Sequence, residues 1–576
     1  MPDVATFAVD DGFAYSVPST LTGVDVGSIV RVPLGGRKVR GYVTAVEVSA
    51  PKRPLRPIAA TSGSTTVFDD ALLRTARWAA AHYVSPLSTI LGATAPPNLP
   101  RLVPHPAGSD STGTPRRAEP HRRSRYEVTG RGYAEHVRRL ADPILSSGRN
   151  VLVVVPTAAD CESLAGILVE SLGARVVAAT SALGGREETS AWSALRLHGG
   201  LVAVGTRQIA WWHGGDVGLG IVIEEGRPAM KAKQTPTWHV RDVLKRRAAV
   251  ERFPLTFLGP VPTVETLAAG VEIHEPAGRV WPVVEVAPRD EDPPGTGAVL
   301  SKTRASLTGI VAAGGSAFVL VPHRGYAAAM ACVVCGTIRR CARCGAAVGS
   351  SGPCPRCEAP VGGECSCGAA RFRPLGAGVG RVVDELRRSL GSAVTSAGGR
   401  GSVEVGTERD LVAVGTVDLV VAIDLDGTIL APTYRAGEDA LRLGARLALK
   451  VPPGRGRRCL VQTSIAAHPV IVALRSGRPI PFLHSELSER ERLRLPPVGD
   501  LVAFEVRGGD VATVDSDLRA ISGDALVRGP APTDTGARWL LQSGDLGPTK
   551  VRMRALVQSL RDHSVTVRVD ADPVSL

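Results

Sequence analysis

The 576-residue sequence lacks three features that would each have placed it in a well-defined class. No apolar run reaches the ~18 to 20 residues that span a bilayer, which predicts a soluble protein. The first residues, MPDVATFAVDDG, contain acids and no apolar core of useful length, so a secretory signal peptide is not expected. No stretch fits G-x-x-x-x-G-K-[ST], the loop with which many motor proteins cradle nucleotide phosphates. The sequence therefore argues against a membrane protein, a secreted protein and a standard ATPase.

Positive charge exceeds negative charge, because 68 Lys and Arg against 55 Asp and Glu give a formal net charge of +13. The excess is carried mainly by arginine and favours an acidic polymer, such as a nucleic acid, as the partner. The alternative is that enrichment in Arg, Ala and Gly reflects the base composition of the genome. A chain of this length is too long for one core, so several domains are expected.

Cysteine is scarce along the chain except between residues 332 and 367, which hold eight of the ten cysteines. Three pairs have the spacing Cys-x-x-Cys and the fourth is Cys-x-Cys: Cys332/Cys335, Cys341/Cys344, Cys354/Cys357 and Cys365/Cys367. Two such turns close a tetrahedral shell of four thiolates, so eight thiolates predict two zinc ions. A disulfide knot is the alternative, but it would need an oxidising compartment. Because the segment offers thiols and no histidine, the zinc is predicted to be structural rather than catalytic.

The first 95 residues predict a small β-rich domain closed by a helix. Residues 1 to about 58 alternate apolar and polar positions in short runs broken by Gly and Pro, as in a strongly bent sheet or barrel. Arg37 and Lys38 follow a turn in this region and are candidates for a phosphate contact. Helical spacing over residues 68 to 91 predicts one helix, with Trp78 and Tyr83 as core residues rather than base-stacking ones.

Residues 96 to 125 are rich in Pro, Gly, Ser and Arg and predict a disordered linker, whose arginines could touch nucleic acid or form only a solvated charged run. Two sets of Val/Ile/Leu-rich runs follow and predict two α/β domains with parallel sheets. The first set lies at 150–156, 174–180, 200–206, 220–225 and 254–259, and the second at 316–322, 410–416, 417–427 and 458–463.

The cysteine segment is predicted to be inserted just after the first strand of the second α/β domain. The isolated Cys161 and Cys459 are predicted to be buried small apolar residues. A charged helical stretch that stops at Pro496-Pro497, together with the strand-like runs LVAFEVR and VTVRVDADP, predicts a compact C-terminal α+β domain.

Two consecutive α/β domains of this size are typical of nucleic-acid motors, yet the residues that hold ATP are missing. Val128-Thr129-Gly130-Arg131-Gly132-Tyr133 stands where a phosphate loop should be, without the Lys-Ser/Thr pair. The magnesium-binding acid pair should be Asp-Glu after a buried strand, but the chain reads Ile223-Glu224-Glu225-Gly226. Glu224 and Glu225 are therefore interpreted as a degenerate remnant of a nucleotide site, and ATP is not expected as a cofactor.

Several short motifs occur in a characteristic order: Phe13-Ala14-Tyr15, Arg31-Val32-Pro33-Leu34-Gly35, Gly205-Thr206-Arg207, His323-Arg324-Gly325-Tyr326 ahead of Cys332, Asp424-Leu425-Asp426-Gly427, Tyr434-Arg435-Ala436-Gly437-Glu438, Leu495-Pro496-Pro497 and Val569-Asp570-Ala571-Asp572-Pro573. Together they resemble the primosomal protein N-prime family, the replication restart PriA family, in a degenerate branch without recognisable helicase motifs. The resemblance covers nearly the whole chain.

The resemblance implies a multidomain α/β protein with seven segments. These are a 3′-end DNA-binding domain (1–95), a linker in place of a winged-helix domain (96–125), a degenerate RecA-like helicase lobe (126–275), a linker with the start of a second lobe (276–331), a zinc-binding module (332–375), the degenerate second lobe (376–470) and a C-terminal α+β domain (471–576).

The resemblance also implies roles for particular residues. The outer cysteine pairs (Cys332, Cys335, Cys365, Cys367) would hold one zinc ion and the inner pairs (Cys341, Cys344, Cys354, Cys357) the second. The residues that would contact DNA around a 3′ end are Phe13, Tyr15, Gly35, Arg37, Lys38 and Arg56. Ala14 stands where an Asp would help to recognise the terminal hydroxyl.

The function implied is replication restart: binding of stalled or repaired forks and single-stranded DNA, and primosome assembly that reloads the replicative helicase away from the origin. The partners implied are helicase-loading proteins and the single-stranded DNA-binding protein, in the cytoplasm at the nucleoid. No catalytic residue is expected. The alternatives are an active ATP-dependent 3′-to-5′ helicase with divergent motifs and a zinc-braced protein-interaction module with no DNA role.

Overall fold

The computed structural model describes residues 1–48, 54–63, 65–96, 124–180, 182, 184–293, 296–322, 329–335, 337–342, 348, 354, 359–375, 378–431, 433–454, 456–533 and 535–574. Most of the predicted linker (97–123), the motif His323-Arg324-Gly325-Tyr326, and Cys344 and Cys357 lie outside these residues. No helix within the described part of the chain is long and apolar enough to cross a membrane.

The N-terminal domain is a three-stranded antiparallel sheet with two helices. Its elements are β1 (Ile29–Leu34), β2 (Arg37–Tyr42), β3 (Ala60–Ser62), α1 (Asp70–His82) and α2 (Leu87–Gly92), with strand order β2-β1-β3. Asp69 caps α1 by accepting a hydrogen bond from the Leu72 N–H at 2.8 Å. The prediction of one helix over 68–91 is wrong, because the chain ahead of Pro86 leaves the helical conformation. Tyr83 is buried in the core and Trp78 packs against it, as predicted.

The first sheet unit contains seven parallel strands with helices on both faces. Its elements are β4 (Arg125–Val128), α3 (Tyr133–Ser146), β5 (Asn150–Val154), α4 (Ala158–Leu172), β6 (Val176–Ala179), α5 (Gly185–Leu197), β7 (Val202–Gly205), β8 (Val217–Ile223), α6 (Val240–Glu251), β9 (Leu255–Gly259), α7 (Val264–Ala268) and β10 (Glu272–His274). The strand order is β10-β4-β9-β8-β5-β7-β6. Every residue of β5 and β8 is buried, which explains why their sequences, apart from Asn150 at the start of β5, contain only apolar residues and glycine.

The second sheet unit contains six parallel strands, and the cysteine segment leaves it as a separate hairpin. Its elements are β11 (Val284–Pro288), α8 (Ser301–Ala312), β12 (Ala317–Leu320), the hairpin strands β13 (Ala329–Cys332) and β14 (Phe372–Leu375), α9 (Val379–Leu390), β15 (Val394–Ser396), β16 (Val403–Gly406), β17 (Leu419–Ala422), α10 (Asp426–Ile429), α11 (Ala436–Ala448) and β18 (Arg458–Thr463). The order of the sheet is β11-β18-β17-β12-β16-β15.

Two predictions about this unit are wrong. Residues 410–416 do not form a strand: β16 precedes them, and residues 410–412 form a short 3₁₀ turn. The Asp410 carboxylate accepts hydrogen bonds from the N–H and the hydroxyl of Thr407, both at 2.8 Å, and this local bonding closes a turn instead of extending a strand. The cysteine hairpin follows the second strand of the sheet rather than the first, because β11 precedes β12 and pairs with β18.

The C-terminal domain is a four-stranded antiparallel sheet with helices. Its elements, with the two helices that lead into it, are α12 (Pro469–Ser476), α13 (Ile480–Leu493), β19 (Asp500–Arg507), α14 (Val511–Ser522), β20 (Leu526–Pro532), β21 (Gly536–Ser543), α15 (Gly547–Asp562) and β22 (Thr566–Ala571). The strand order is β20-β21-β19-β22, so the predicted α+β character is confirmed.

The N-terminal domain is tied to the rest of the molecule by polar contacts as well as by apolar packing. The Gln558 side chain on α15 accepts a hydrogen bond from the Phe7 N–H at 3.0 Å, and His82 on α1 lies 3.1 Å from the Asp572 carboxylate. The Trp192 indole donates to the Thr94 carbonyl at 3.1 Å. These contacts place the small β-rich domain against both the first sheet unit and the C-terminal domain.

Candidate functional site

The β1–β2 hairpin presents two cations at its tip. Gly35 and Gly36 form the two-residue turn, and both have positive φ angles, +55° and +78°, which glycine adopts without strain. Arg37 and Lys38 follow on β2 and are exposed. The hairpin therefore holds both positive charges at the solvent-facing end of a short rigid element, where a phosphate could approach.

Tyr15 and Arg56 lie beside this hairpin. The Tyr15 hydroxyl donates to the Pro33 carbonyl at 3.2 Å, next to the glycine turn. The Ser16 N–H donates to the Arg56 carbonyl at 3.0 Å, which brings the two segments side by side. Burial raises the pKa of Tyr15, and the positive charge of Arg56 opposes that shift. Phe13, two residues before Tyr15, is 43% exposed although it is a large apolar side chain. The proposed DNA contacts of these residues stay a prediction.

Four of the eight cysteines in the module converge on one point. The Sγ atoms of Cys332 and Cys367 are 3.6 Å apart, those of Cys335 and Cys365 are 3.5 Å apart, and all four lie within 4.8 Å of one another. A tetrahedral ion with bonds of ~2.3 Å to sulfur separates its sulfur ligands by about 3.8 Å. These four residues, the outer pairs of the segment, thus fit a metal ion, and their all-thiol chemistry suits zinc.

The surroundings of this cluster lower the pKa of Cys332 and Cys335, which favours their thiolate forms. Hydrogen bonding from the Ala369 N–H alone would lower the pKa of Cys367, but hydrogen bonds with Cys335 and Cys332 raise it overall. The Thr337 hydroxyl lies 3.2 Å from Cys335 Sγ, and hydrogen bonding from its side chain and N–H lowers the pKa of Cys335 to about 6. The Val334 N–H donates to Cys332 Sγ at 3.4 Å. Of the inner pairs, Cys341 and Cys354 are buried around Val348, while Cys344 and Cys357 lie outside the described residues. The second predicted ion therefore has only half of its ligand set described.

The loop at the position of a phosphate loop, residues 129–132, is covered by the second sheet unit. A Cβ atom on Gly130 would clash with the side chain of Leu449, which follows α11. The Arg131 guanidinium donates to the carbonyls of Leu449, at 3.0 Å, and Val451. Gly130 and Arg131 are thus occupied by contacts within the protein, while Gly132 and Glu224 line a cavity of about 660 Å³.

Glu224 and Glu225, the two acids predicted as remnants of a nucleotide site, are both engaged by protein groups. Glu225 is fully buried and accepts hydrogen bonds from the Thr263 N–H at 3.1 Å and the Thr266 hydroxyl at 2.5 Å, which anchors the start of α7. Glu224 accepts a hydrogen bond from the Tyr133 hydroxyl at 3.2 Å and lies 3.3 Å from the Arg446 guanidinium. Glu224 is thus held by Tyr133 and Arg446 and one oxygen of Glu225 by the start of α7, while the other oxygen of Glu225 is buried with no hydrogen-bond partner among the described residues.

Several arginines are buried between the two sheet units, and the sequence reasoning did not predict their burial. Arg435, Arg442 and Arg446 are on or next to α11, and all three are at most 8% exposed. A cavity of about 350 Å³ lies beside them at the carboxyl ends of β12 and β17. Charged residues on a helix normally indicate a face that is exposed to solvent. The sequence signal that could have indicated burial is the (i, i+4) spacing of Glu438 and Arg442 among apolar positions of α11.

Comparisons with known proteins find one family model over the N-terminal residues and relatives over most of the chain. Residues 3–96 match the model for the 3′ DNA-binding domain (3′BD) of PriA. The replication restart protein PriA of Synechocystis sp. is 24% identical over 520 residues, which cover 78% of this chain and 62% of that protein. The PriA of Treponema pallidum is 26% identical over 87% of this chain and 85% of that protein, and the probable PriA of Mycobacterium leprae is 26% identical over 78% and 77%.

The match thus spans less than two thirds of the Synechocystis protein, and most of the length of the other two. Among solved structures, RecG bound to a three-way DNA junction is 13% identical and covers 74% of this chain and 50% of that chain, with a TM-score of 0.37. A score this low carries no argument about function.

Proposed function

This chain is a relative of the replication restart proteins PriA, and from that premise we propose that it binds stalled or repaired DNA forks and acts in replication restart as a DNA-bound scaffold. The observation that carries the proposal is the match of residues 3–96 to a 3′ DNA-binding domain, in which the hairpin tip presents Arg37 and Lys38 beside Tyr15 and Arg56. Phe13 and Gly35 complete the set of residues that would contact the 3′ end.

Electrostatics support a DNA partner. The chain has a formal net charge of +13, and the cations at the hairpin tip are exposed. Binding that rests on phosphate neutralisation releases counterions, so the affinity should fall steeply with salt. Duplex and single-stranded arms of a fork would both be held in this way, largely without regard to sequence.

We infer further that ATP-driven unwinding is not part of the function. No lysine stands at the 129–132 loop, Leu449 packs against Gly130, and Glu224 is held by Tyr133 and Arg446. The transition state of phosphoryl transfer is stabilised by such a lysine and by bound magnesium, and losing one preorganised group of this kind typically costs ~10²- to 10³-fold in rate. The alternative, an active 3′-to-5′ helicase, would need other groups to do the work of the missing lysine and of the bound magnesium.

The cysteine module is proposed to hold two structural zinc ions. Cys332, Cys335, Cys365 and Cys367 support the first, and the second would use Cys341, Cys344, Cys354 and Cys357. The ions would fold a segment with little apolar core of its own. We also propose, from the kinship alone, that primosome components, helicase-loading proteins and the single-stranded DNA-binding protein are its partners, and that it works in the cytoplasm at the nucleoid.

The test is fork binding by fluorescence anisotropy with the leading-strand 3′ end free or blocked by a 3′ phosphate, with and without ATP. The expected result is tighter binding to the free end, no effect of ATP, and no DNA-stimulated ATP hydrolysis. Equal affinity for a fork and for plain duplex would overturn the proposal, and DNA-stimulated ATP hydrolysis would establish the helicase alternative.

A matched pair of variants tests the hairpin. In Arg37→Ala/Lys38→Ala, the plot of log affinity against log salt should become shallower by about 1.8, because each duplex phosphate that a cation neutralises contributes ~0.9 to the slope. The control Arg388→Ala/Arg400→Ala also removes two exposed charges, from the second sheet unit, and should keep the wild-type slope. The same change of slope in both variants would show that only net charge matters.

A further inference from the structure

A cluster of buried ion pairs joins the two sheet units. Its acids come from both units, and four arginines lie between them: the members are Arg241, Asp242 and Glu265 of the first unit, Arg435, Glu438, Asp439 and Arg442 of the second, and Arg490 of α13. Among them Glu438 is fully buried and Arg490 is 2% exposed. Charges are seldom buried this deeply unless each has a partner.

Glu265 is the acid that the first unit contributes to the contact. It stands on α7 and accepts a hydrogen bond from Arg435 at 2.9 Å, while Arg490 lies 3.4 Å away. Arg241, from the same unit, is also 3.4 Å away. One carboxylate therefore holds guanidinium groups from α6, from the start of α11 and from α13.

Glu438 is the matching acid on α11. It accepts hydrogen bonds from Arg442 and from Arg490, the latter at 2.6 Å, and it lies 3.6 Å from Arg435. Burial alone would raise the pKa of Glu438, but Arg435, Arg490 and Arg442 hold it well below its usual range. Arg435 and Arg490 thus contact both central acids and connect one unit to the other.

The remaining two acids balance the charges. Asp242 pairs with Arg241 at 2.9 Å and Asp439 pairs with Arg442 at 2.7 Å, so four carboxylates face four guanidinium groups. The side chains of Asp242 and Asp439 are 24% and 37% exposed, so the most deeply buried acids of the cluster are Glu265 and Glu438. Removing either of these would leave buried guanidinium groups with one partner fewer. The pair of Glu265 with Arg435 forms only when the two units are in contact.

A second set of contacts flanks this cluster. Arg446 bridges Glu224 of the first unit, at 3.3 Å, and Glu408 of the second unit, at 2.8 Å. Arg131 of the first unit donates to the Leu449 carbonyl at 3.0 Å. The contact between the units thus extends from the phosphate-loop position to α13.

We propose that these ion pairs form an interdomain latch that fixes the two sheet units as one rigid body, so that the cleft between them does not open and close. Motors with paired lobes use hinge motion between the lobes, and a latch of this kind prevents it. The latch stands on the ion pairs alone and does not depend on the proposed role in replication restart.

Hydrogen–deuterium exchange of the full chain, without DNA, tests the latch. Glu265→Gln removes a charge on α7, and Glu438→Gln removes one on α11. If the latch couples the units, either variant should speed exchange roughly tenfold or more in both α7 and α11, because Arg435 and Arg490 pair with both Glu265 and Glu438, so the loss of either acid weakens the contact between the units. The control Glu489→Gln removes the exposed partner of Arg492 on α13 and should leave both segments unchanged.

Two results would overturn the proposal: exchange that rises only in the helix that carries the substitution, and exchange that stays at the wild-type rate in both. If the two glutamine variants fail to fold by circular dichroism, Arg446→Met provides a milder break. Faster exchange in both β8 and α11 of that variant would support the latch, and unchanged exchange in them would refute it.

Discussion

Removal of the proposed zinc ion from the outer cysteine cluster should unfold the cysteine module and leave the rest of the chain folded. The perturbation is chelation, or the double substitution Cys332→Ser/Cys335→Ser, which deletes two of the four sulfurs that lie within 4.8 Å of one another. The module leaves the second sheet unit through the hairpin of β13 and β14, and that hairpin is a sheet of its own. Its unfolding therefore need not break the six-stranded sheet.

The magnitude follows from what else stabilises the module. Among its described residues, the small core is formed by Cys341, Val348 and Cys354, with Ala359 and Val361 packed against it. Burial of an aliphatic side chain contributes about 1.5–3 kcal/mol, whereas a structural zinc ion contributes ~10–16 kcal/mol in zinc-finger peptides. Metal binding is thus expected to be the dominant stabilising interaction of this segment.

The assay combines zinc content by mass spectrometry with limited proteolysis. The wild type should contain bound zinc. After chelation, the protease should cleave rapidly within residues 332–375, while the two sheet units stay folded and resist cleavage. The control Cys161→Ser changes a buried cysteine outside the module and should keep the zinc content. Protein without zinc that still resists cleavage in this segment would refute the reasoning.

Two further predictions concern buried polar contacts. Asn150→Ala should lower the free energy of unfolding by about 3 kcal/mol or more in urea, because the two N–H donors of the Asn150 amide are shared among three carbonyls and its oxygen accepts from the Leu201 N–H, and each buried group left unpaired costs ~1–3 kcal/mol. An effect below that of the exposed control Thr308→Val would contradict this prediction. Burial alone would raise the pKa of Asp572, but hydrogen bonding to His82 lowers it overall, so its contribution to stability is present above pH ~4, the unfolded value, and is lost as pH falls through the lower folded value. The urea midpoint of Asp572→Asn should therefore lie below that of the wild type at pH 6 and approach it in acid, while the exposed control Asp517→Asn should match the wild type throughout; a gap that widens in acid would show the sign to be wrong.

The sequence predicted the strands correctly where every residue of a strand is buried. β5, β8 and β9 are buried along their whole length, so their sequences are apolar except for Asn150 and Thr256, and this pattern needs no knowledge of distant residues. The run at 410–416 has the same composition but fails as a strand, because the Asp410 carboxylate bonds the Thr407 backbone and closes a turn. The number of apolar residues in a run does not reveal a side chain that competes with the backbone hydrogen bonds of a β-sheet.

The candidate sites also contain features that the sequence could predict and features that depend on distant parts of the chain. The outer cysteine pairs could be proposed from a family resemblance, and the fold places their sulfurs close enough for a metal ion. The glycine turn before Arg37 and Lys38 could be read from four consecutive residues, since two positive φ angles require glycine there. The neighbouring position of Arg56, by contrast, depends on a backbone pairing between segments some forty residues apart.

The sequence by itself determined the identity of the thiols, the absence of a phosphate-loop lysine and the parallel-sheet character of the two central units, because each of these depends on residue type and short-range order. Only the tertiary structure decided the surroundings of Glu224 and Glu225 and of the arginines on α11. Glu225 anchors α7 and Glu224 meets Arg446, and Arg435 joins Glu265 to Glu438. Whether a charged side chain is solvated or buried in an ion pair depends on which surface packs against it, and that surface comes from another part of the chain.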